Sequence, residues 1–213
     1  MSFTLPKSLR NKALVSLVLT QAFFVSADPN ARAYTFDAQA SRVAVEVPRA
    51  GLLSVLGHDH KILAGVVRGE VAMKKEGGVP LNVEVEIPVA SLRLADEDLG
   101  EGTREKIDTK MRGEEVLHEG KHPTIRFEGT RITKAASGRW DVHGVLEIRG
   151  IRREVEFPAK IAFSDNGRRL DAQGEVSFEP EDFGIPPVKA LGGTVRTAST
   201  IHLTFQITAF VQP

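Results

Sequence analysis

The side chains best suited to metal chemistry in this sequence are four histidines in two pairs. His58 and His60 flank Asp59, and His118 precedes His122 by four residues. Neutral imidazole is the commonest metal ligand in proteins. An alternative function is therefore a metal-dependent enzyme whose site is formed by His58, His60, His118 and His122. The competing hypothesis is that they are loop histidines, because such spacings are common by chance and no HExxH motif accompanies them.

Other catalytic chemistry has little support in the residue types. The 213 residues include no cysteine, which excludes disulfides, thiolate nucleophiles and Cys-ligated metal centres. There is no G-x-S-x-G elbow, P-loop or dinucleotide-binding fingerprint. The acids within 96–101 are more typical of a solvated helix start than of paired catalytic carboxylates. We expect a protein that is not an enzyme and that carries no cofactor.

The elements that must position these residues are predicted to be β-strands, because apolar and polar residues alternate with a period of two. Within one run, Ile132 is out of phase with Ile125 and Phe127, which predicts a β-bulge near Gly129. The five clear runs are 43–47, 83–89, 155–163, 170–178 and 201–207, and the three weaker runs are 63–74, 124–133 and 139–149.

One helix is predicted between the third and fourth strands. Ile107, Met111 and Leu117 form a thin apolar stripe over 103–117. Eight mostly antiparallel strands with one apolar face close as a sandwich or as an up-and-down barrel. Short turn sequences such as Ser137-Gly138 favour the barrel. The predicted fold is all-β, an eight-stranded antiparallel up-and-down β-barrel with this one short helix.

The face that would point into the barrel contains no Asp, Glu, Lys or Arg. A barrel of eight strands is either filled by its side chains or holds one small ligand, so any ligand inside would be apolar. The inward small residues, such as Gly144 and Gly174, would leave room for one. A filled small barrel also alternates large with small residues, so pocket and packed core both remain open.

The amino terminus resembles an address for export. Three basic residues and no acid precede an apolar run over 13–25, and Val25-Ser26-Ala27 offers small residues for cleavage. We expect a cleavable signal peptide over 1–27 and a periplasmic protein. Thirteen residues are too few to cross a bilayer, so stable membrane insertion is not expected. The balance of 28 Lys+Arg against 28 Asp+Glu gives no reason to expect a nucleic-acid partner.

Four stretches of the chain form a recognisable series. They are Tyr34-Thr35-Phe36-Asp37 with Ser41-Arg42-Val43, His122-Pro123-Thr124-Ile125-Arg126-Phe127, the segment 142–155, and Phe178-Glu179-Pro180-Glu181-Asp182-Phe183-Gly184-Ile185. In this order they resemble the YceI-like family of secreted polyisoprenoid-binding proteins. They span nearly the whole chain after the signal, so 34–211 is identified as a single domain of that family.

This resemblance implies a lipocalin-like barrel whose interior holds an isoprenoid, quinone or fatty-acyl chain without catalysis. The sequence leaves both a monomer and a homodimer open. His58 and His60 would contact a polar headgroup at the mouth. Residues of the 48–61 or 179–196 loop would gate it. The residues expected to line the tunnel are Val67, Val85, Phe127, Leu146, Phe157, Ile161, Phe163, Phe178, Phe183, Leu203 and Phe205.

Overall fold

A computed structural model describes residues 30–50, 59–75, 78–186, 189–190, 195–197 and 199–212, with the backbone alone at 49–50, 189–190 and 195–197. The predicted signal peptide at 1–27 and His58 lie outside the described residues.

The described chain is dominated by antiparallel strands. In chain order these are β1 (Ala31–Phe36), β2 (Arg42–Val47), β3 (Arg49–Ala50), β4 (His60–Ala64), β5 (Arg68–Lys74), β6 (Pro80–Pro88), β7 (Leu92–Leu94), β8 (Thr124–Lys134), β9 (Trp140–Ile148), β10 (Ile151–Ser164), β11 (Arg169–Phe178), β12 (Lys189–Ala190), β13 (Val195–Thr197) and β14 (Ile201–Val211). One helix, α1 (Glu101–Arg112), lies between β7 and β8.

Eight of these strands close into a barrel in the order β1-β5-β6-β8-β9-β10-β11-β14. Closure comes from β14, which pairs with β11 along one side and with β1 at its carboxyl end, where Thr35 lies opposite Phe210. The all-β, eight-stranded antiparallel barrel predicted from the sequence is therefore confirmed, and α1 falls between the expected strands.

Three barrel strands are interrupted at the same level. The chain breaks between β1 and β2 at 37–41, between β4 and β5 at 65–67, and between β6 and β7 at the 3-10 turn Val89–Ser91. The short strands β2, β4 and β7 pair in succession beside the amino-terminal half of β14. They extend the barrel wall past the level where the eight-stranded ring is closed.

Hydrogen bonds across the interruption hold the breaks in place. The Gly65 N–H donates to the Ser91 carbonyl at 2.9 Å, and the Val89 N–H donates to the Pro123 carbonyl at 2.9 Å. In the sheet, β8 pairs with β6 and not with β7, so the extension ends at β7. The helix α1 packs beside this last strand. The helix thus covers a gap in the sheet.

A seam opens in the barrel wall between β10 and β11. Their ladder ends where Ala159 lies opposite Gly174. Pro158 is the next residue of β10, and a proline has no N–H to donate to the neighbouring strand. From there β10 stays paired with β9 and β11 with β14, so the two strands separate. The barrel consequently has one closed end and one wide end.

Two predicted boundaries are wrong. The helix expected over 103–117 ends at Arg112, because Gly113 follows and glycine is a poor helix former. Leu117 is buried in the turns that come after it. The run at 63–74 divides into β4 and β5. The expected bulge is confirmed, since the β8–β9 register shifts between Gly129 and Arg131.

Candidate functional site

The barrel interior contains a cavity of about 140 Å³ at the level of the closed ring. Its walls are apolar side chains of the barrel strands. Arg126 touches its edge, but the Arg126 Nε donates to Glu86 at 2.9 Å in an exposed pair. A cavity with such walls offers a ligand only apolar contacts.

A second cavity of about 500 Å³ occupies the wide end. Its walls come from the extension strands β2, β4 and β7, from α1, and from the segment that follows β11. The volume lies within the range of pockets that hold small molecules. The residues that α1 presents to it are Leu99, just before the helix, and Thr103, Ile107, Lys110 and Met111.

The two cavities meet at a common layer of side chains. Five residues line both: Val43, Ile87, Ile125, Leu146 and Leu203. Those five residues are aliphatic and come from strands on different sides of the barrel. A ligand chain that starts in the larger cavity would pass this layer to reach the smaller one.

Most residues expected to line a tunnel do line these cavities. Leu146 and Leu203 line both, and Phe178 and His60 line the larger one. The residues that line the smaller cavity alone are Val85, Phe127, Phe157, Ile161 and Phe205.

Three of the expected residues lie elsewhere. Phe163 is 41% exposed and packs against Tyr34 at the rim of the closed end, with ring centroids 6.2 Å apart, because β10 extends beyond the cavity there. Val67 is buried in the break between β4 and β5. Phe183 is buried behind Phe178, at 5.4 Å between ring centroids. The prediction that these three line the tunnel needs this correction.

Aromatic rings lie directly over Gly144 and Gly174 and leave no open space there. A Cβ at Gly144 would lie 2.4 Å from Phe127, and one at Gly174 would lie 2.7 Å from Phe205. Phe157 packs between these two rings, 5.5 Å and 5.6 Å from their centroids. Part of the interior is therefore packed core, and the cavities lie beside this aromatic cluster.

His60 is held at the wide end by a buried carboxylate. Its Nδ1 lies 2.6 Å from Asp96 Oδ2, and the Lys61 N–H donates to Asp96 Oδ1 at 2.9 Å. Asp96 is 8% exposed. Both carboxylate oxygens thus have partners, as the burial of such a group requires.

The other two histidines lie together but apart from this arrangement. The rings of His118 and His122 meet edge-on at 5.8 Å between centroids. Desolvation is the main factor that lowers the pKa of His122, and the charges of Lys121 and His118 lower it further. Within the described residues, no group of three or more potential metal ligands comes together. Nothing there supports the hypothetical four-histidine site.

Much of the wall of the larger cavity was not predicted from the sequence. Leu92, Leu94 and Ile62 line it from the extension strands, and Lys110 lines it from α1. The position of Lys110 was predictable in part, because residues seven apart lie on the same face of a helix and Thr103 faces the same way. The short strands gave too little alternation to be placed.

Comparison with known proteins places this geometry in a family. A family model described as the YceI-like domain matches residues 34–209. A UPF0312 protein of Pseudomonas paraeruginosa is 33% identical over 82 residues, which are 37% of this chain and 42% of that protein. A UPF0312 protein of Ectopseudomonas mendocina is 27% identical over 124 residues, 56% of this chain and 62% of that protein. The matches span about half the length of these curated relatives.

Solved structures show the same fold. The crystal structure of Burkholderia cenocepacia BcnA superposes with a TM-score of 0.63 and 17% identity, over 81% of this chain and 98% of that chain. A YceI protein of Campylobacter jejuni gives a TM-score of 0.55 and 14% identity, over 69% and 81%. At these identities the likeness establishes the barrel and its course.

Proposed function

Since the chain belongs to the YceI-like family, we propose that its barrel binds one long apolar lipid chain, a polyisoprenoid, an isoprenoid quinone or a fatty-acyl chain. One observation carries the proposal. An apolar cavity of about 500 Å³ shares a layer of wall residues with a deeper one of about 140 Å³. Together they form an elongated apolar space along the barrel.

The energetics of such binding are sufficient for a carrier. Transfer of a chain out of water contributes about 0.8 kcal/mol for each buried CH₂. Roughly fifteen methylene equivalents would contribute on the order of ten kcal/mol before the entropic costs of binding are subtracted. Affinity would therefore come mainly from the chain, and the protein would sequester or transport the lipid.

A role in binding without catalysis agrees with the geometry of one serine, histidine and glutamate cluster. On the outer face, Ser177 Oγ lies 2.8 Å from His202 Nδ1, and Glu175 Oε1 lies 3.3 Å from the same nitrogen. A serine nucleophile and its orienting acid need opposite nitrogens of the imidazole. This cluster is thus not arranged as a catalytic triad.

We also propose that the protein acts in the periplasm, after export by the signal at 1–27. In the part of the chain that the structure describes, no helix has the length and apolar character needed to cross a bilayer. The mass of the protein recovered from a periplasmic extract would test export. Loss of residues 1–27 is expected, and an intact amino terminus in the cytoplasmic fraction would contradict it.

The test of the binding function is organic extraction of the purified protein, with mass spectrometry of the extract and metal analysis of the same sample. We expect about one prenyl or acyl species per barrel. An empty barrel that also rejects isoprenols and fatty acids offered to it would contradict the proposal. One equivalent of zinc or copper in that empty protein would favour the histidines as the functional groups.

A further inference from the structure

The polar groups of the larger cavity are few, and none of them is acidic. Among its described lining residues, only His60, Thr103 and Lys110 carry polar side chains. All other lining side chains are apolar. Among the described residues, a ligand in this cavity therefore meets polar side chains only from β4 and α1.

His60 has one ring nitrogen left for a ligand. Its Nδ1 is engaged by Asp96 at 2.6 Å, so Nε2 is the remaining nitrogen. The side chain is 31% exposed, whereas that of Asp96 is only 6% exposed. The carboxylate is thus turned away from a ligand, and its two oxygens are already occupied by His60 and the Lys61 N–H.

Lys110 supplies the one ammonium group among the described lining residues, from α1. It lies seven residues after Thr103 and three after Ile107, on the helix face that lines the cavity. No ion pair of the described residues involves Lys110, and Asp108, two residues before it in sequence, accepts the Leu94 N–H at 2.8 Å. Lys110 is exposed and lines the cavity, and an ammonium group carries three hydrogen-bond donors.

We propose that the wide end is a site for an anionic headgroup, a carboxylate or a phosphate, with Lys110 as its counter-ion and His60 as its second contact. This inference rests on the proposed function, because the apolar chain must occupy the cavity for its head to reach the rim. A positive charge and a hydrogen-bonding imidazole favour an anion over a neutral alcohol, and they disfavour an amine.

The test compares three probes that share one sixteen-carbon chain: hexadecanoic acid, hexadecyl phosphate and hexadecan-1-ol. Each compound is titrated against an apolar fluorescent dye bound to the exported, delipidated protein, and displacement of the dye is measured. A charge-assisted hydrogen bond to Lys110 should make at least one anion bind about tenfold more tightly than the alcohol. Preference for one of the two anions identifies the headgroup.

The variants are Lys110→Met and its matched control Lys106→Met, an exposed lysine of α1 outside the cavity lining. Lys110→Met should remove the preference for the anion while alcohol binding stays unchanged, and Lys106→Met should preserve both. Equal binding of acid, phosphate and alcohol, unaffected by Lys110→Met, would overturn the headgroup site and leave the chain-binding function intact. Rejection of all three probes would overturn both.

Discussion

The two ends of the barrel share their strands but differ in how they are filled. At the closed end, Tyr34, Met73, Leu170 and Ala209 are at most 3% exposed. The Tyr34 hydroxyl also donates to the Gly167 carbonyl at 2.6 Å, which fixes the β10–β11 turn against β1. At the wide end, the extension strands, α1 and the segment after β11 surround a cavity of about 500 Å³.

This difference separates stability from binding. Closely packed side chains lose many contacts when one is shortened, whereas side chains beside an empty space have fewer contacts to lose. The closed end should therefore carry more of the folding free energy. Substitutions at the wide end should change the free energy of unfolding only a little and should change the affinity for the ligand instead.

The largest effect is expected from one substitution made at both ends. Met73→Ala, at a 1% exposed site of the closed end, should lower the free energy of unfolding by about 3 kcal/mol. Met111→Ala, in the wall of the larger cavity, should cost only about 1 kcal/mol because the cavity already faces it. Urea unfolding of the delipidated proteins measures both. Equal losses would contradict the division between the ends.

A smaller effect is expected on chain length. Ala172 lines the smaller, inner cavity of about 140 Å³. Ala162, on the adjacent strand, is exposed on the outer face. Ala172→Phe should reduce the affinity for the longest chains by about 2 kcal/mol, since two or three methylenes lose their site at about 0.8 kcal/mol each. Short chains should be unaffected. If Ala162→Phe shortens the preferred chain equally, the inner cavity is not part of the ligand site.

The first pH prediction concerns the wide end. The pKa of His122 is lowered, chiefly by desolvation. A histidine that resists protonation when folded stabilises the fold above its unfolded pKa of about 6.5 and loses this contribution as the pH falls below it. The melting temperature should therefore fall less between pH 7.5 and 5.5 in His122→Gln than in the parent. An equal fall in melting temperature in the parent and in His122→Gln would contradict a lowered pKa of His122.

The smallest effect is expected at Asp171, near the closed end. Hydrogen bonds from Arg169, and then from the Thr208 hydroxyl, lower its pKa against the opposing effect of burial. Its stabilising contribution is present above the unfolded pKa of about 3.9 and is lost as the pH falls through the lower folded value. Because the pair is half exposed, Asp171→Asn should cost about 0.5 kcal/mol at pH 7. Once the pH has fallen through the lowered folded pKa of Asp171, the parent and the variant should be equally stable.

The strands were easier to predict from the sequence than the way in which they close into the barrel. Alternation located the long strands, and the phase slip of Ile132 located the bulge, because both depend on neighbours along the chain. The breaks depend on distant partners, such as the Ser91 carbonyl that accepts the Gly65 N–H. Such contacts leave no periodic trace, so β4 and β5 were predicted as one strand.

The site was predictable to the same extent. Inward phase predicts Phe127, Phe157 and Phe205 on the interior face, and they line the smaller cavity, but phase alone does not say where a barrel ends. Phe163 follows the inward phase and yet lies at the rim. Nor does phase distinguish a glycine that leaves space from one covered by a ring, as Gly144 is by Phe127.

The most direct test of lipid binding is the amount of lipid recovered from three purified proteins: the parent, Leu203→Trp and Thr204→Trp. Leu203 lies in the layer common to both cavities, and Thr204 is exposed on the outer face of the same strand. With folding checked by circular dichroism, we predict about one lipid per barrel in the parent and in Thr204→Trp. Leu203→Trp should retain less than about a tenth, because the indole fills the passage between the cavities. Equal recovery from all three proteins, or a parent barrel that takes up no chain at all, would contradict the account.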